Sequence, residues 1–307
     1  MNNLTLKQLR YFEALAHQGH FGRAAEVCAI SQPALSMQIK ELEETLGTQL
    51  IERGPRQIRL TQLGEALAER ASEILRAVDE LGDLARASQD QMVGRLRLGV
   101  IPTIAPYLLP TLIRALSESH AALDIHVRET MTPKLIRELG EGRLDAAIVA
   151  LPVSEPAFAE VPLFDESFVL VRPLSDADKP VPNADMLREM RLLLLEEGHC
   201  FRDQALSFCS MQTVRPWAGL DGSSLSTLVQ MVGVGLGVTL LPEMAVAVER
   251  RSADVSVARF PDPQPSRTIG MIWRKTSPLA EQFQVIAEAV RNAGQDLRER
   301  HGASLRC

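Results

Sequence analysis

One long amphipathic stretch, from Thr61 to Ser88, constrains the architecture of the chain more than any other feature. Its apolar residues alternate steps of four and three, the heptad spacing of a coiled coil, and they are Leu67, Ala71, Ile74, Val78, Leu81 and Ala85. At 1.5 Å per residue a helix of this length measures about 40 Å, too long and one-sided to lie inside a small globular domain. The pattern therefore predicts a linker helix over 61–90 that pairs with a second copy of the chain.

The composition of the whole chain is that of a soluble globular protein. The chain has 307 residues, enough for two domains, and its 46% hydrophobic and 23% charged residues argue against disorder. A net charge of −6 confines any nucleic-acid contact to a local surface. The longest uncharged stretch, Leu98 to Ile113, is shorter than the roughly 20 residues that span a bilayer. The N-terminus lacks the apolar core of a secretory signal, so we expect a cytoplasmic protein with reduced thiols and no membrane contact.

Residues 1–60 predict three short helices followed by a basic hairpin. The third helix is the best marked, because Ser31 is a good N-cap and Pro33 lies in the first turn, where its missing N–H does no harm. Its predicted buried face consists of Leu35, Ile39, Leu42 and Leu46. The polar residues at the start of the helix therefore point outward. This is a helix-turn-helix arrangement, whose second helix enters the major groove of DNA, and the arginine-rich run around Gly54–Pro55 is a candidate wing.

Beyond Gly94 short apolar runs alternate with helical patterns, which predicts an α/β domain over 91–300. The candidate strands are Leu96–Ile101, Leu123–Val127, Leu144–Leu151, Phe168–Val171, Leu192–Leu195, Val238–Leu241 and Ile269–Trp273. The polar, arginine-rich end of the chain predicts fraying from Gly294 onward, with 301–307 as a flexible tail.

Residues 4–290 resemble the LysR-type bacterial transcriptional regulators. The segment LKQLRYFEALAHQGHFGRAAEVCAISQPALSMQIKELEETLGTQLIER, followed by LTQLG, is similar to their winged helix-turn-helix almost position for position. GRLDAAIVAL, VPLFDESFVLVRP and GVGLGVTLLP are similar to their effector domain. The resemblance implies an all-α winged helix-turn-helix domain, a linker helix, and an α/β effector domain of two subdomains like a type II periplasmic binding protein. It also implies an activator that forms dimers through the linker and tetramers on double-stranded promoter DNA, with RNA polymerase as a partner.

By the same resemblance the recognition helix begins in SQPALS. The candidate DNA contacts are Gln32, Pro33, Ser36, Met37, Lys40, Arg53 and Arg56. Their chemistry suits this role, because glutamine reads adenine edges while arginine and lysine neutralise phosphates.

The segment LLLEEGHCFRDQALSFC places Cys200 beside His199 and Arg202, two cationic neighbours of the kind that lower the pKa of a thiol. With VIPTIAPYLLP and SRTIGM, it resembles the peroxide-sensing members of the LysR-type regulators. The resemblance implies that hydrogen peroxide oxidises Cys200, which then joins Cys209 in a disulfide. It further implies control of antioxidant genes and resetting by glutaredoxin or thioredoxin, and we expect neither a cofactor nor a metal ion. The other cysteines, Cys28 and Cys307, have no predicted role.

The resemblance also implies a peroxide pocket formed by Thr103, Thr132, His199, Arg202, Asp203 and Arg267. A short helix is predicted from Arg202 to about Phe208. Nine helical steps separate Cys200 from Cys209 by more than about 13 Å, whereas a disulfide needs Cα atoms within about 7 Å. Oxidation would therefore have to refold this segment.

Three other functions remain open at this stage. A LysR-type regulator that binds a small organic effector would keep its response after Cys200→Ser. A thiol peroxidase would need a site for its reductant, and a zinc module built on His199, Cys200 and Cys209 lacks a fourth ligand nearby in the sequence. Neither of the last two explains the DNA-binding half, and an exported solute-binding protein would need a signal.

Overall fold

The computed structural model describes residues 4–53, 58–87, 93–208 and 222–304. The chain divides into two compact units, 1–85 and 86–307. The finer division predicted from the sequence, with a separate linker over 61–90 and a tail over 301–307, stays a prediction.

The N-terminal unit is a three-helix domain with a hairpin and a long final helix. Its elements are α1 (Leu6–Gln18), α2 (Phe21–Val27), α3 (Gln32–Leu46), β1 (Ile51–Arg53), β2 (Ile58–Leu60) and α4 (Gln62–Ala87). The helix starts are capped as the sequence dictates: Thr5 and Gln8 form a capping box at α1, and the Ser31 hydroxyl accepts from the N–H of Ala34 at α3. The predicted core residues Leu35, Ile39 and Leu42 are buried, which confirms the helix-turn-helix arrangement.

The apolar stripe of α4 divides between two faces, contrary to the single predicted seam. Ala71 and Leu75 are buried and pack with Leu9 of α1. The large apolar residues that α4 leaves exposed are Leu63, Ile74, Leu81 and Leu84. Ala71 is therefore part of the domain interior, whereas Ile74 and Leu81 of the predicted seam are exposed, and Leu63 and Leu84 extend the exposed stripe at heptad spacing. Pairing with a second copy through this stripe stays a prediction.

Two glycines of α4 form a matched pair for a stability test. A Cβ on Gly64 would overlap the carbonyl oxygen of Leu50, whereas a Cβ on Gly82 would meet nothing within 4 Å. We expect Gly64→Ala to lower the free energy of unfolding by about 1 to 3 kcal/mol, because backbone must shift to admit the methyl group. Gly82→Ala is expected to raise it by about 0.5 to 1 kcal/mol, because alanine favours helix. Urea unfolding followed by circular dichroism measures both, and equal effects of the two changes would contradict this packing.

The C-terminal unit alternates strands and helices, as predicted. Its first elements are β3 (Gly94–Val100), α5 (Ala105–Ser119), β4 (Leu123–Glu129), α6 (Thr132–Gly140), β5 (Ala146–Leu151) and β6 (Phe158–Pro173). They are followed by α7 (Ala184–Glu189), α8 (Cys200–Phe208), α9 (Leu225–Gly233), β7 (Thr239–Pro242), α10 (Val246–Glu249), β8 (Val255–Arg259), β9 (Ser266–Arg274) and α11 (Ala280–Ser304).

Two long strands join the two halves of this unit. The sheet order is β4-β3-β5-β9-β6-β7, with β8 also paired to β6. β6 pairs with β9 up to Ser167 and with β7 and β8 from Phe168 onward. β3 lies parallel to β4 and β5, and β9 is antiparallel to β5 and β6. Strands β6 and β9 are thus the crossover between two subdomains, which confirms the predicted fold class.

Several strands predicted in this unit differ from those in the structure. The run Leu192–Leu195 forms only isolated bridges, from Leu192 to Val238 and from Leu195 to Gly222. All four leucines are buried, so the apolar run reflects burial rather than a continuous ladder. β6 begins ten residues before the predicted Phe168, and β8 was not predicted.

Helix α11 continues beyond Gly294 to Ser304, where the sequence predicted fraying. Ala293 and Leu297 are buried, and a Cβ on Gly294 would overlap the ring of Phe164. The polar and arginine-rich composition concealed this apolar stripe. Among the residues that the structure describes, no helix is long and apolar enough to cross a membrane.

Candidate redox site and DNA-binding surface

The N-terminal end of α3 presents the predicted DNA contacts to solvent. Gln32, Pro33 and Lys40 are exposed, Met37 is 65% exposed, and Ser36 is half-buried. A helix N-terminus with exposed polar side chains is the part of a recognition helix that reaches base edges. The side chain of Arg53, at the end of β1, and the whole of Arg56 lie outside the described residues.

Cys200 is the first residue of α8, two positions earlier than the predicted start of that helix. Its thiol is free and half-buried, and it packs against the main hydrophobic core of the C-terminal unit. The N-terminus of a helix carries partial positive charge and favours an anion such as a thiolate. Cys209 lies outside the described residues, so the predicted disulfide stays a prediction.

A buried polar cluster joins Thr103 to Arg267. The Thr103 hydroxyl accepts a hydrogen bond from Nη1 of Arg267 at 2.8 Å, and the Thr103 carbonyl oxygen accepts one from Nη2 at 3.2 Å. Glu166 supplies the counter-charge, because its Oε2 accepts from Nε of Arg267 at 2.8 Å. Its Oε1 accepts from the N–H of Met244 at 3.1 Å. Burial raises the pKa of the Glu166 carboxyl, and the Arg267 charge opposes that rise.

Aromatic rings connect this cluster to the helix that begins with Cys200. Phe201, the next residue, stands edge-on to Phe168 with ring centroids 5.0 Å apart. The guanidinium of Arg267 lies 5.6 Å from the Phe201 ring centroid and 5.9 Å from that of Phe168, within the range of a cation–π interaction. The start of α8 is therefore packed directly on the Arg267 side chain.

The other predicted pocket residues of this segment have different environments. His199 is buried beside Glu196, and burial lowers the pKa of its imidazole, with the Glu196 charge opposing the change. Arg202 is buried and donates from Nη1 to the carbonyl oxygen of Leu195 at 2.7 Å. Asp203 is exposed. The Arg202 side chain thus donates to backbone, and burial favours the neutral form of the His199 imidazole.

Thr132 is the first residue of α6 and is half-buried. Its hydroxyl oxygen is buried and has no hydrogen-bond partner among the residues described. Its neighbour Met131 contacts the segment that precedes Cys200. A Cβ on Gly198, whose φ is +95°, would lie 2.8 Å from Sδ of Met131. Only glycine fits this left-handed conformation and close approach without strain. The start of α6 and the GHC segment are therefore in contact across the unit.

Comparison with known proteins identifies the family. The profile described as "Bacterial regulatory helix-turn-helix protein, lysR family" matches residues 6–65, and "LysR substrate binding domain" matches residues 89–295. A probable hydrogen peroxide-inducible genes activator of Streptomyces viridosporus is 46% identical over 298 residues, covering 95% of each chain. The transcriptional dual regulator OxyR of Escherichia coli is 41% identical over 292 residues, covering 94% of this chain and 95% of OxyR.

The chain belongs to the OxyR group of the LysR family. Solved structures agree with this assignment. A full-length OxyR variant from Pseudomonas aeruginosa is 39% identical, has a TM-score of 0.74, and is matched over 94% of this chain and 95% of its own. A Corynebacterium glutamicum OxyR mutant with H2O2 bound is 36% identical, with a TM-score of 0.68 over 98% and 95% of the two chains.

Two buried carboxylates near the site, those of Glu166 and Glu249, were not predicted from the sequence. Glu166 pairs with Arg267, and Glu249 accepts a hydrogen bond from the Tyr107 hydroxyl at 2.7 Å. Burial and the bond to Glu249 raise the pKa of the Tyr107 phenol. The signal available was a glutamate inside the apolar run VPLFDESFVLV, since a buried charge needs a partner. In the part of the chain that the structure describes, no three His, Cys, Asp or Glu residues are grouped to hold a metal ion.

Proposed function

We propose that this chain is a transcriptional regulator that senses hydrogen peroxide through a reversible disulfide between Cys200 and Cys209. The observation that carries the proposal is the position of Cys200, at the N-terminus of α8 and next to Phe201, which packs on the Arg267 side chain. Thr103, Thr132 and Arg267 would form the pocket, with His199, Arg202 and Asp203 around it. A related OxyR mutant with H2O2 bound supports peroxide rather than an organic effector as the signal.

The proposed chemistry has two steps. The Cys200 thiolate attacks one peroxide oxygen, so that an S–O bond forms, the O–O bond breaks, and the departing hydroxide takes a proton to become water. Sulfur is oxidised to a sulfenic acid and peroxide is reduced. The Cys209 thiol then attacks the sulfenic sulfur, which forms the disulfide and releases a second water. Reduction of that disulfide by glutaredoxin or thioredoxin would restore both thiols.

The helix between the two cysteines would make oxidation a conformational signal. Eight helical steps from Cys200 to Phe208 span about 12 Å, and one further residue returns at most 3.8 Å. The shortest Cα distance compatible with an intact α8 is therefore about 8 Å, beyond the roughly 7 Å limit for a disulfide. Unwinding of α8 would thus accompany the bond, and closing a loop of this size constrains the chain by about 2 to 3 kcal/mol.

Mass spectrometry tests the proposal directly. Purified protein is treated with a few equivalents of hydrogen peroxide, its free thiols are alkylated, and its disulfides are mapped. A parallel DNase footprint compares the reduced and oxidised forms on a promoter fragment selected by the reduced protein. We expect a Cys200–Cys209 bond and an altered footprint. Unmodified thiols with an unchanged footprint would return the chain to the regulators that bind an organic effector.

The wider proposal concerns DNA and assembly. The chain would act in the cytoplasm on double-stranded promoter DNA of antioxidant genes, as a dimer through the exposed stripe of α4 and as a tetramer on an extended site. Oxidation would change the spacing of the dimers on DNA and thereby their contact with RNA polymerase. The helix-turn-helix domain of the LysR family supports the DNA contact.

Lys40 gives a quantitative test of the DNA surface. Its ammonium is exposed and lies 3.5 Å from the Glu44 carboxylate. If Lys40 neutralises one phosphate, Lys40→Ala weakens binding to a random-sequence duplex about 3- to 10-fold and reduces the slope of log K against log salt by about 0.9. Lys134→Ala, an exposed lysine of α6, is the control and should change neither quantity. Fluorescence anisotropy over a salt series measures both, and an unchanged slope for Lys40→Ala would remove this residue from the interface.

A further inference from the structure

We propose that Glu166 is a positioning residue for the peroxide reaction of Cys200. It holds the Arg267 guanidinium in the one orientation that makes the Thr103 hydroxyl a hydrogen-bond donor toward the bound peroxide. This inference rests on the proposed function and adds to it a residue outside the predicted pocket.

The two crossover strands fix the first contact in this chain of interactions. Glu166 on β6 stands directly opposite Arg267 on β9 in the antiparallel register. Oε2 of Glu166 lies 2.8 Å from Nε and 2.7 Å from Nη2 of Arg267, which is a two-point attachment of the guanidinium edge. Both side chains are almost fully buried, with 3% and 0% exposure. The N–H of Met244 donates to the remaining carboxylate oxygen, so the carboxylate cannot rotate freely.

The second contact determines the direction of the Thr103 hydrogen bond. Arginine has only donors, so in the 2.8 Å contact with Nη1 of Arg267 the Thr103 oxygen must be the acceptor. The hydroxyl proton of Thr103 is therefore left to another acceptor. In the first step of the proposed chemistry, a peroxide oxygen gains negative charge as the O–O bond breaks. A fixed O–H donor at that oxygen stabilises the transition state.

The buried positive charge of Arg267 is neutralised by the Glu166 carboxylate. The rings of Phe168 and Phe201 lie against the guanidinium, and among the residues that the structure describes its Nη2 contacts the Thr103 carbonyl oxygen and Glu166. Loss of the carboxylate charge would leave a buried cation whose nearest strong acceptor is gone. The guanidinium would then reorient toward other oxygens, and the donor geometry at Thr103 would be lost.

Glu166→Gln tests this in the full-length reduced protein with two reagents. The rate constant for oxidation of Cys200 by hydrogen peroxide is expected to fall about 10- to 100-fold, because the Thr103 donor is misplaced. The rate constant for alkylation of Cys200 by iodoacetamide, which needs only an accessible thiolate, should stay within about threefold. Rapid quenching and mass spectrometry follow Cys200 separately from the other thiols. Asp165→Asn removes the same charge one residue earlier, from an exposed side chain bonded to Thr268, and should change neither rate.

A double-mutant cycle separates positioning from general structural damage. Thr103→Val removes the hydroxyl, so Glu166→Gln in that background should lower the peroxide rate by less than about twofold. Should the glutamine variant not fold, Glu166→Asp, which keeps the charge but withdraws the carboxylate, is expected to show the same selective loss at about 3- to 10-fold. Equal losses with both reagents, or additive effects with Thr103→Val, would overturn the inference. A wild-type Cys200 that does not react with peroxide would contradict the proposed function itself, and this inference with it.

Discussion

Cys200→Ser is expected to abolish the response of the DNA footprint to hydrogen peroxide, while the reduced footprint and the folded state persist. Serine has nearly the shape of cysteine and is accommodated at the half-buried first position of α8. A hydroxyl at neutral pH is not ionised and does not attack peroxide, so neither the sulfenic acid nor the disulfide forms. The expected change is a complete loss of the redox-dependent footprint, measured with and without a few equivalents of peroxide.

Cys28→Ser is the matched control for that result. Cys28 is the other free cysteine that the structure describes, and it lies at the end of α2 in the DNA-binding unit. Burial raises the pKa of its thiol, which keeps it protonated and poorly reactive at neutral pH. We expect Cys28→Ser to respond to peroxide like the wild type. A Cys200→Ser protein that still changes its footprint, or a Cys28→Ser protein that no longer does, would place the sensor elsewhere.

Arg267→Met carries the second large expected effect. The substitution keeps the apolar stem of the side chain but leaves Glu166 buried without its counter-charge. Breaking a buried pair in this way lowers the free energy of unfolding by about 3 to 5 kcal/mol. Burial already raises the pKa of Glu166, and removal of Arg267 removes the charge that opposes the rise.

The pH dependence of this loss has a definite sign. A carboxyl whose folded-state pKa lies above its unfolded value binds more protons in the native state, so stability falls as pH rises through that window. The deficit of Arg267→Met is therefore expected to be larger near pH 8 than near pH 5. Arg259→Met is the control, because it makes the same substitution in a half-exposed ion pair with Glu243. It should lower the free energy of unfolding by less than about 1 kcal/mol at either pH. A deficit that grows toward low pH would contradict a buried Glu166–Arg267 pair.

The helix starts and buried faces of the DNA-binding unit could be predicted from the sequence, because capping and apolar spacing depend on residues close together in the chain. Ser31 caps α3, Pro33 lies in its first turn, and the apolar spacing of α3 fixes its buried face. The predicted α4 seam is only partly exposed, because a seam facing a partner and a stripe facing α1 lie on neighbouring sides of one helix. Spacing alone does not say which of the two covers Ala71.

The buried cluster was less accessible to sequence reasoning. Thr103 and Arg267 were predicted only through resemblance, and their contact joins residues 164 positions apart. Glu166 escaped notice because its partner is set by the register of β6 against β9, which no local pattern encodes. The helix begins at Cys200 rather than at Arg202, and Phe201 in its first turn packs on Phe168, a contact that the local sequence does not specify.

Hydrogen exchange of α8 tests the central claim most directly, namely that formation of the Cys200–Cys209 bond and an intact α8 exclude each other. Peptides covering 200–208 are compared by mass spectrometry in reduced protein, in peroxide-treated protein, and in peroxide-treated Cys209→Ser, where the bond cannot form. We expect protected amides in the reduced and Cys209→Ser proteins, and exchange at least about 100-fold faster in the disulfide form. A mapped Cys200–Cys209 disulfide in a protein whose α8 amides stay as protected as in the reduced form would contradict it.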